Sequence, residues 1–334
     1  MQRRSARLSR VHFVGGGHTS LLSAAYGALF PFLATADACS LRATCREAHY
    51  YVREFPWDPT GYWSEFEEVW HPSTRVGGLP GSVDWHRYAH REAVLAKWRA
   101  VFPRARGLCF SDLHANWAPH LLALQSLDIT GSAVGHCTTD AAIALLVNLR
   151  KLIMSGTALD GSCFASLPHL RYLVAGGCDN ITDAAVGHLK KVETLVLYGD
   201  SNAVSDAGLA RCASLRTLVC GNASGVTGAF LEALAPRLTR LLLWDCSVTD
   251  EGLRHLERAA LLERADLSYS PGISDEGLAH LRGVRRVELR GCEQLTPAGI
   301  AHLGAVRALN VQGCSREVQR AARALKATRG VELL

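Results

Sequence analysis

The sequence lacks the features that would place it at a membrane or on nucleic acid. No apolar run approaches the ~18 residues that a membrane-spanning helix needs. The net charge is only +5 over 334 residues, and no basic run exceeds a few residues. We therefore expect neither a membrane nor a nucleic-acid partner.

The spacing of the cysteines is typical of neither a zinc-binding motif nor a disulfide framework. They number 11, an odd count, and include no Cys-x-x-Cys pair. This argues against a zinc framework and against a closed set of disulfides. We expect reduced thiols in a cytoplasmic or nuclear protein. The first 36 residues contain no acidic residue and carry four arginines, so a mitochondrial presequence is the alternative to a disordered basic leader.

Catalytic motifs are also missing. The sequence has no Gly-x-Ser-x-Gly elbow, no kinase motif set and no evident pair of catalytic carboxylates. The glycine-rich segment 15–20 lacks the lysine and the preceding strand of a phosphate loop. We therefore predict no enzymatic activity and no cofactor.

The histidines do not predict a metal site. His86 and His90 are spaced four residues apart, but no third ligand is evident. A histidine also recurs before a leucine in four places, and this is more simply one helical surface position repeated than a set of ligands. The four are His188, His255, His280 and His302.

A repeated pattern dominates the remainder of the chain, and it is clearest over residues 238–256. Its starts lie about 21 to 25 residues apart, which is typical of stacked solenoid units. The starts are Leu124, Leu149, Leu170, Val192, Leu215, Leu238, Leu262, Val284 and Val306. Residues 105–113 are a candidate degenerate first unit.

Each unit predicts a short strand followed by a helix. In the unit at 238, Leu241–Leu243 predict the strand, with Leu238, Leu241 and Leu243 pointing into a core. A cysteine at the ninth position recurs as Cys178, Cys246, Cys292 and Cys314. A serine or threonine followed by aspartate or proline predicts the helix N-cap. These caps are Thr182, Ser205, Thr249, Ser274 and Thr296.

This pattern strongly resembles the cysteine-containing class of leucine-rich repeats. The resemblance implies an α/β solenoid shaped as a right-handed horseshoe, with parallel strands on the concave face, helices on the convex face and a small α-helical N-terminal cap. We predict a flexible basic leader at 1–19, an F-box-like helical motif at 20–52, an aromatic-rich linker or cap at 53–104, and the repeat array with its C-terminal cap at 105–334.

The F-box resemblance rests on residues spaced as in that motif. They are Leu29, Phe32, Leu33, Asp37, Leu41 and Cys45. The motif's opening Leu-Pro is absent and Pro31 interrupts its first helix, so an amphipathic hairpin that caps the first repeat remains the alternative. The resemblance implies docking on the adaptor subunit of a cullin–RING ubiquitin ligase.

The third, fifth and seventh positions of each unit should face the concave surface. They predict an apolar, aromatic patch bordered by arginines, and such a patch is typical of a protein-binding site. Its residues are Tyr172, Val174, Val196, Tyr198, Val219, Arg240, Leu242, Trp244, Arg264 and Arg286. The alternatives are a terminal tail folded over the patch or a strand register shifted by one residue.

These features predict a protein-interaction module, most specifically a substrate receptor of an F-box-type ubiquitin ligase that holds its target on the concave face. A non-enzymatic scaffold subunit of a larger assembly is the alternative. A regulator that binds a single enzyme is a third reading, and the excess of arginine on the concave face would suit an acidic partner.

Overall fold

Short parallel strands build one continuous sheet in strict chain order. The computed structural model describes residues 106–109, 118–130, 138–199 and 203–334. Across these residues the sheet has eleven strands, and each pairs in parallel with the strand of the next unit. This arrangement confirms the predicted repeat, since every unit contributes one strand.

The strands are two to five residues long, and short α-helices connect most of them. The strands are β1 Gly107–Cys109, β2 Ser126–Asp128, β3 Lys151–Ile153, β4 Tyr172–Val174, β5 Thr194–Tyr198, β6 Thr217–Gly221, β7 Arg240–Trp244, β8 Arg264–Asp266, β9 Arg286–Glu288, β10 Ala308–Asn310 and β11 Glu332–Leu333. The α-helices are α1 Ala118–Leu121, α2 Asp140–Ala144, α3 Asp183–Val186, α4 Asp206–Leu209, α5 Leu231–Leu234, α6 Asp250–Leu253, α7 Asp275–Ala279, α8 Pro297–His302 and α9 Arg316–Arg329. Within the described ranges, three 3₁₀ helices span Ser162–Ser166, Ala235–Arg237 and Arg254–Arg258.

One apolar core runs the length of the described array. In β7, Leu241 and Leu243 are fully buried in it, as is Leu238 at the start of the unit. Neighbouring units place equivalent leucines and valines beside them, and consecutive helices pack against one another on the far side of the sheet. The buried apolar face of each unit is therefore completed by its neighbours, as in other stacked repeats.

The connecting helices are shorter than the leucine spacing suggests. Helix α6 ends at Leu253, and the chain continues as the 3₁₀ helix that carries Leu256. Both leucines are buried. Ser205 and Thr249 cap their helices by accepting a hydrogen bond from a backbone N–H two or three residues on, whereas Thr182 has the cap conformation but accepts no such bond.

The first-turn aspartates join each unit to the next. Asp250 accepts hydrogen bonds from Ser274 of the following unit, through its backbone N–H at 2.9 Å and its hydroxyl at 2.5 Å. The Ser274 hydroxyl in turn accepts the N–H of Glu276 and so caps α7. Asp183, Asp206 and Asp275 make equivalent bonds to the units that follow them. The aspartates therefore act between units as well as on the dipole of their own helix.

The ninth-position cysteines link units on the strand side. The Cys292 thiol donates to the carbonyl of Leu267, at 3.3 Å, and Cys314 donates to Leu289, at 2.9 Å. Cys178 bonds Met154 in the same way. The cysteine thus satisfies a backbone carbonyl of the preceding unit where the chain leaves the sheet.

A left-handed residue precedes most of these cysteine positions. Glycine fills this eighth position in several units, with φ of +67° at Gly177 and +64° at Gly291. Asn222 and Asp245 adopt the same conformation, which short polar side chains tolerate. Tyr269 does so too, with φ of +59°, and it is the one bulky side chain in this conformation among the described residues.

A long helix and a final strand close the C-terminal end. Helix α9 begins at the cap Ser315, whose hydroxyl accepts the N–H of Val318, and it ends at Gly330 in the left-handed conformation. Val318 and Ala322 are fully buried against the last unit. Strand β11 then extends the sheet, in parallel with β10. The tail pattern predicts both elements.

Several predictions concern residues outside those that the structure describes. They are the leader at 1–19, the F-box-like motif at 20–52 with Leu29, Phe32, Leu33, Asp37, Leu41 and Cys45, the segment at 53–104, and the pair His86 and His90. These remain predictions. Among the residues that are described, no helix combines the length and apolar character needed to cross a bilayer.

Candidate partner-binding face

The sheet face turned away from the helices carries its own apolar cluster, separate from the core. We call this side the concave face. Val196, Val219 and Leu242 lie side by side on β5, β6 and β7, because the register pairs these three positions directly. Val174, Tyr198 and Trp244 pack against them. The strand register is therefore the one that the sequence predicts.

The exposure of this cluster differs from the sequence-based expectation. Val196, Val219 and Leu242 are buried, with at most 6% of their surface exposed. Tyr172, Tyr198, Val174 and Trp244 are half-buried. The apolar patch is thus layered, with the aliphatic side chains beneath and the aromatic rings nearer to solvent.

Glycine and aromatic residues alternate along the seventh position. A Cβ atom at Gly176 would lie 2.2 Å from the Tyr198 ring, and one at Gly221 would lie 2.2 Å from the Trp244 ring. Each ring therefore leans over the glycine of the preceding unit. The Tyr198 and Trp244 rings are 6.1 Å apart between centroids. These close approaches fix the two rings in a tilted pair, a favourable arrangement for aromatic side chains.

The face changes character at its two ends. Toward the N-terminus, the Lys151 ammonium lies 5.1 Å from the centre of the Tyr172 ring, within cation–π range. Burial raises the pKa of the Tyr172 hydroxyl, so the ring stays neutral. Toward the C-terminus, charged residues replace apolar ones from β8 onward.

Glu288 organises the charged end. Its Oε1 accepts a hydrogen bond from Nη2 of Arg264, at 2.9 Å, and lies 3.4 Å from Nε of Arg286. Its Oε2 lies 3.5 Å from Nη2 of Arg290. Only 6% of the glutamate side chain is exposed, against 44% for Arg290. The buried carboxylate therefore holds three arginines, and part of their surface faces solvent.

Asp266 is the second carboxylate at this end of the face, and its hydrogen-bond partner lies in its own unit. It accepts hydrogen bonds from the backbone N–H and the hydroxyl of Ser268, at 3.0 and 2.6 Å. Burial raises the pKa of Asp266, and these hydrogen bonds oppose the shift. The carboxylate is turned toward Ser268, so it contributes less negative charge to the surface than an exposed aspartate would.

Tyr269 lies at the edge of this face, at a position that the repeat pattern does not assign to it. It follows the seventh-position Ser268, and 56% of its surface is exposed. Its ring lies against Gly291 of the next unit. The available signal was a tyrosine at an eighth position where neighbouring units have glycine, asparagine or aspartate.

The repeated histidines lie on the helical side of the array. His188 and His302 are exposed, and Nδ1 of His280 lies 3.0 Å from Oε1 of Glu257. Over residues 106–109, 118–130, 138–199 and 203–334, no three histidine, cysteine or acidic side chains converge as metal ligands.

Comparisons with known proteins support the fold. No family model matches the sequence, and no curated protein is significantly similar to it. The internalin InlF from Listeria monocytogenes is similar in structure, with a TM-score of 0.52 and 14% identity over 67% of each chain. Internalin C2 from the same bacterium gives 0.47 at 23% identity, over 58% of this chain and 84% of that chain. A chain of the yeast Rad7–Elc1 complex gives 0.46 at 13% identity, over 96% of this chain and 92% of its own.

The architecture is that of a leucine-rich-repeat solenoid. Over the part of the chain that the structure describes, eleven parallel strands in chain order alternate with short helices, as in this class, and the similarity to InlF agrees with it.

Proposed function

We propose that this protein is a protein-interaction module whose concave face binds a partner protein. The observation that carries the proposal is the layered cluster on that face, where Tyr198 and Trp244 lie over buried aliphatic side chains beside exposed arginines. Tryptophan, tyrosine and arginine contribute most of the free energy at protein interfaces. The ten predicted binding residues, from Tyr172 to Arg286, all lie on strands of this sheet.

Trp244→Ala provides the direct test. We expect partner binding to weaken by about 2 kcal/mol or more, because the indole is large, rigid and near solvent. The free energy of unfolding should fall by less, since the leucines of the core are untouched. Affinity purification with the full-length chain identifies the partner, and titration calorimetry with that partner measures the loss.

Leu261→Ala is the matched control, because Leu261 is 53% exposed and lies outside the strands. It should leave binding unchanged. Equal affinity for the wild type and Trp244→Ala would contradict the proposal. A loss of stability as large as the loss of binding would instead assign Trp244 to the folded core.

We propose further that the module is a substrate receptor of a cullin–RING ubiquitin ligase. The F-box-like residues at 20–52 support this, because in such receptors that motif precedes a repeat array of this kind. The receptor catalyses nothing itself. It would raise the local concentration of target lysines near the ubiquitin-charged enzyme.

A pulldown of the ligase adaptor with full-length protein tests the receptor proposal. Adaptor association should be lost in Phe32→Ala/Leu33→Ala and kept in Leu8→Ala/Val11→Ala, a control pair in the leader. Absence of the adaptor from wild-type protein, together with stable co-purification in a fixed complex, would favour the alternative scaffold role.

A further inference from the structure

The C-terminal half of the concave face carries a net positive charge. The third, fifth and seventh positions of the units of β7 to β9 carry four arginines against two carboxylates, a net charge of +2. The arginines are Arg240, Arg264, Arg286 and Arg290, and the carboxylates are Asp266 and Glu288. Both carboxylates are engaged internally, with Ser268 and with the arginines themselves. Arg240 is exposed, and Arg290 and Arg286 are partly so.

A notch separates the aromatic cluster from these arginines. Trp244, Ser268 and Arg290 occupy the same seventh position on successive units, as the cross-strand bonds from Asp245 and Tyr269 show. Ser268 is small and buried, whereas the residues on either side are large. The indole of Trp244 lies over Gly221, three strands before Arg290. Because adjacent strands lie ~4.8 Å apart, the ring and Arg290 are about 14 Å apart along the sheet. The exposed ring of Tyr269 forms the rim.

We infer that this notch binds an extended acidic segment of the partner protein. An apolar side chain of the segment packs on Trp244, and a carboxylate side chain pairs with Arg290 beside the Tyr269 ring, which lies against Gly291. An extended chain advances ~3.3 Å per residue, and side chains four residues apart point to the same face, so this separation corresponds to about four residues. The recognised pattern is therefore apolar-x-x-x-acidic. This inference rests on the proposed function and specifies the chemistry of its partner.

Arginine suits this role because its planar guanidinium can bond both oxygens of a carboxylate. The Arg290 side chain is only partly engaged by Glu288, at 3.5 Å, and it remains 44% exposed. With the exposed Asp245 beside the notch also counted, four arginines face three carboxylates, a net charge of +1. The carboxylate of the partner would therefore still meet a net positive surface, which favours its approach and orientation.

Tyr269 supports the inference independently of charge. The left-handed conformation is unfavourable for a bulky residue, and the ring gains little from burial because it is mostly exposed. The units on either side use Asp245 and Gly291 at this position. Tyrosine is therefore not the residue that the fold favours here, and a contribution to binding accounts for it.

Selection of random peptides displayed on phage against the full-length chain tests the inference. The selected sequences should be enriched in the apolar-x-x-x-acidic pattern. A fluorescein-labelled synthetic copy of the most enriched peptide then serves as the probe for fluorescence anisotropy. Arg290→Glu should weaken its binding about tenfold or more, and a copy with lysine in place of the acidic residue should bind that variant better than wild type.

Arg282→Glu is the matched control, because Arg282 is exposed and follows α7 on the helical side. It should change the affinity by no more than about twofold. Tyr269→Gly should weaken peptide binding and raise the melting temperature, since glycine adopts the left-handed conformation freely. A purely structural role for Tyr269 would give the opposite shift in melting temperature.

The outcomes separate this inference from the proposed function. Peptides that need Trp244 but show no acidic enrichment, and that tolerate Arg290→Glu, would overturn the inference and leave the function intact. A selection that yields no Trp244-dependent peptide would overturn both. Acidic enrichment of the selected peptides, together with loss of peptide binding in Trp244→Ala and in Arg290→Glu, supports both the inference and the proposed function.

Discussion

The first-turn aspartates show how one residue type serves two purposes. From the sequence, their position at helix starts predicts a favourable interaction with the helix dipole. In the structure, Asp206 also accepts four hydrogen bonds from the next unit, two from Thr227 and one each from the N–H groups of Gly228 and Phe230. These cross-unit bonds could not be inferred from the pattern of a single repeat.

Asp206→Ala should therefore destabilise the array more than loss of a dipole interaction would. Several donors would lose their acceptor in a partly buried position, and we expect the free energy of unfolding to fall by about 2–3 kcal/mol. Glu251→Ala is the control, since Glu251 is a first-turn acid of α6 that is largely exposed. Its loss should cost about 0.5 kcal/mol. Urea unfolding measures both, and equal losses would reject the cross-unit role.

The buried thiols give a second residue-scale prediction. Seven cysteines between Cys163 and Cys314 are buried thiols that form no disulfide. Burial raises the pKa of both Cys212 and Cys292 to about 12, from an ordinary value of 9.0. Iodoacetamide at about pH 8 should leave both thiols unlabelled in native protein and label both in urea, as peptide mass spectrometry can determine. Labelling of the native protein at the same rate as the protein in urea would contradict the burial of these thiols.

The same shifts predict a loss of stability in alkali. Only the unfolded chain releases these protons between pH 9.0 and about 12, so the contribution is complete below pH 9.0 and declines as the pH rises through that window. Each such thiol should lower the free energy of unfolding by ~1.4 kcal/mol per pH unit there. Cys212→Ala should show a shallower decline than the wild type.

At the scale of elements, close stacking of the helices depends on glycine. A Cβ atom at Gly277 in α7 would lie 2.2 Å from Oδ1 of Asp250 and 3.0 Å from the Leu253 side chain. Gly208 and Gly299 meet the aspartate of the preceding unit in the same way. The glycine and the aspartate of adjacent units therefore form one contact that sets the separation of the helices.

Gly277→Ala should consequently destabilise the protein by about 1–3 kcal/mol, although alanine favours a helix, because the methyl group forces the carboxylate away from Ser274. Gly283→Ala is the control, as nothing lies within 4 Å of its Cβ position. That change should be neutral or slightly stabilising. Thermal unfolding followed by circular dichroism distinguishes them, and a neutral Gly277→Ala would show that the helices can separate without loss.

Strands were more predictable than helices for a physical reason. The alternation around Leu241 and Leu243 reports burial directly, and the strand and its register follow from it. Leucines at i and i+3 fit a 3₁₀ turn as well as an α-helix, so the periodicity does not report that α6 gives way to a 3₁₀ helix after Leu253. Leu256 is therefore buried as predicted, but in a 3₁₀ turn instead of an α-helix.

At the scale of the whole molecule, each unit touches only its neighbours, so damage at one end should stay local. Val318→Asp places a charge in the contact between α9 and the last unit. We expect a loss of about 2 kcal/mol or more, with faster amide hydrogen exchange in β10 and β11 and unchanged exchange in β4 and β5. Arg320→Asp, on the exposed side of α9, is the control. Uniformly faster exchange across the sheet would show a single cooperative unit instead.

The location of the candidate face was predictable from the repeat, but its surface was not. The register assigned Val196 and Leu242 to the correct side of the sheet. Their burial depends on how Tyr198 and Trp244 lean across neighbouring units, and this requires three-dimensional packing. The role of Tyr269 depends on a backbone conformation that only comparison of equivalent positions could suggest.

Because each ring lies over a glycine of the preceding unit, substitutions at the ring position and at the glycine position depend on each other. A side chain at Gly221 would collide with the indole of Trp244, so the ring must move or be replaced when the glycine is. The two positions, one on each of two neighbouring strands, are therefore coupled. Related chains that differ at one of them should tend to differ at the other, so that substitutions on this surface are correlated.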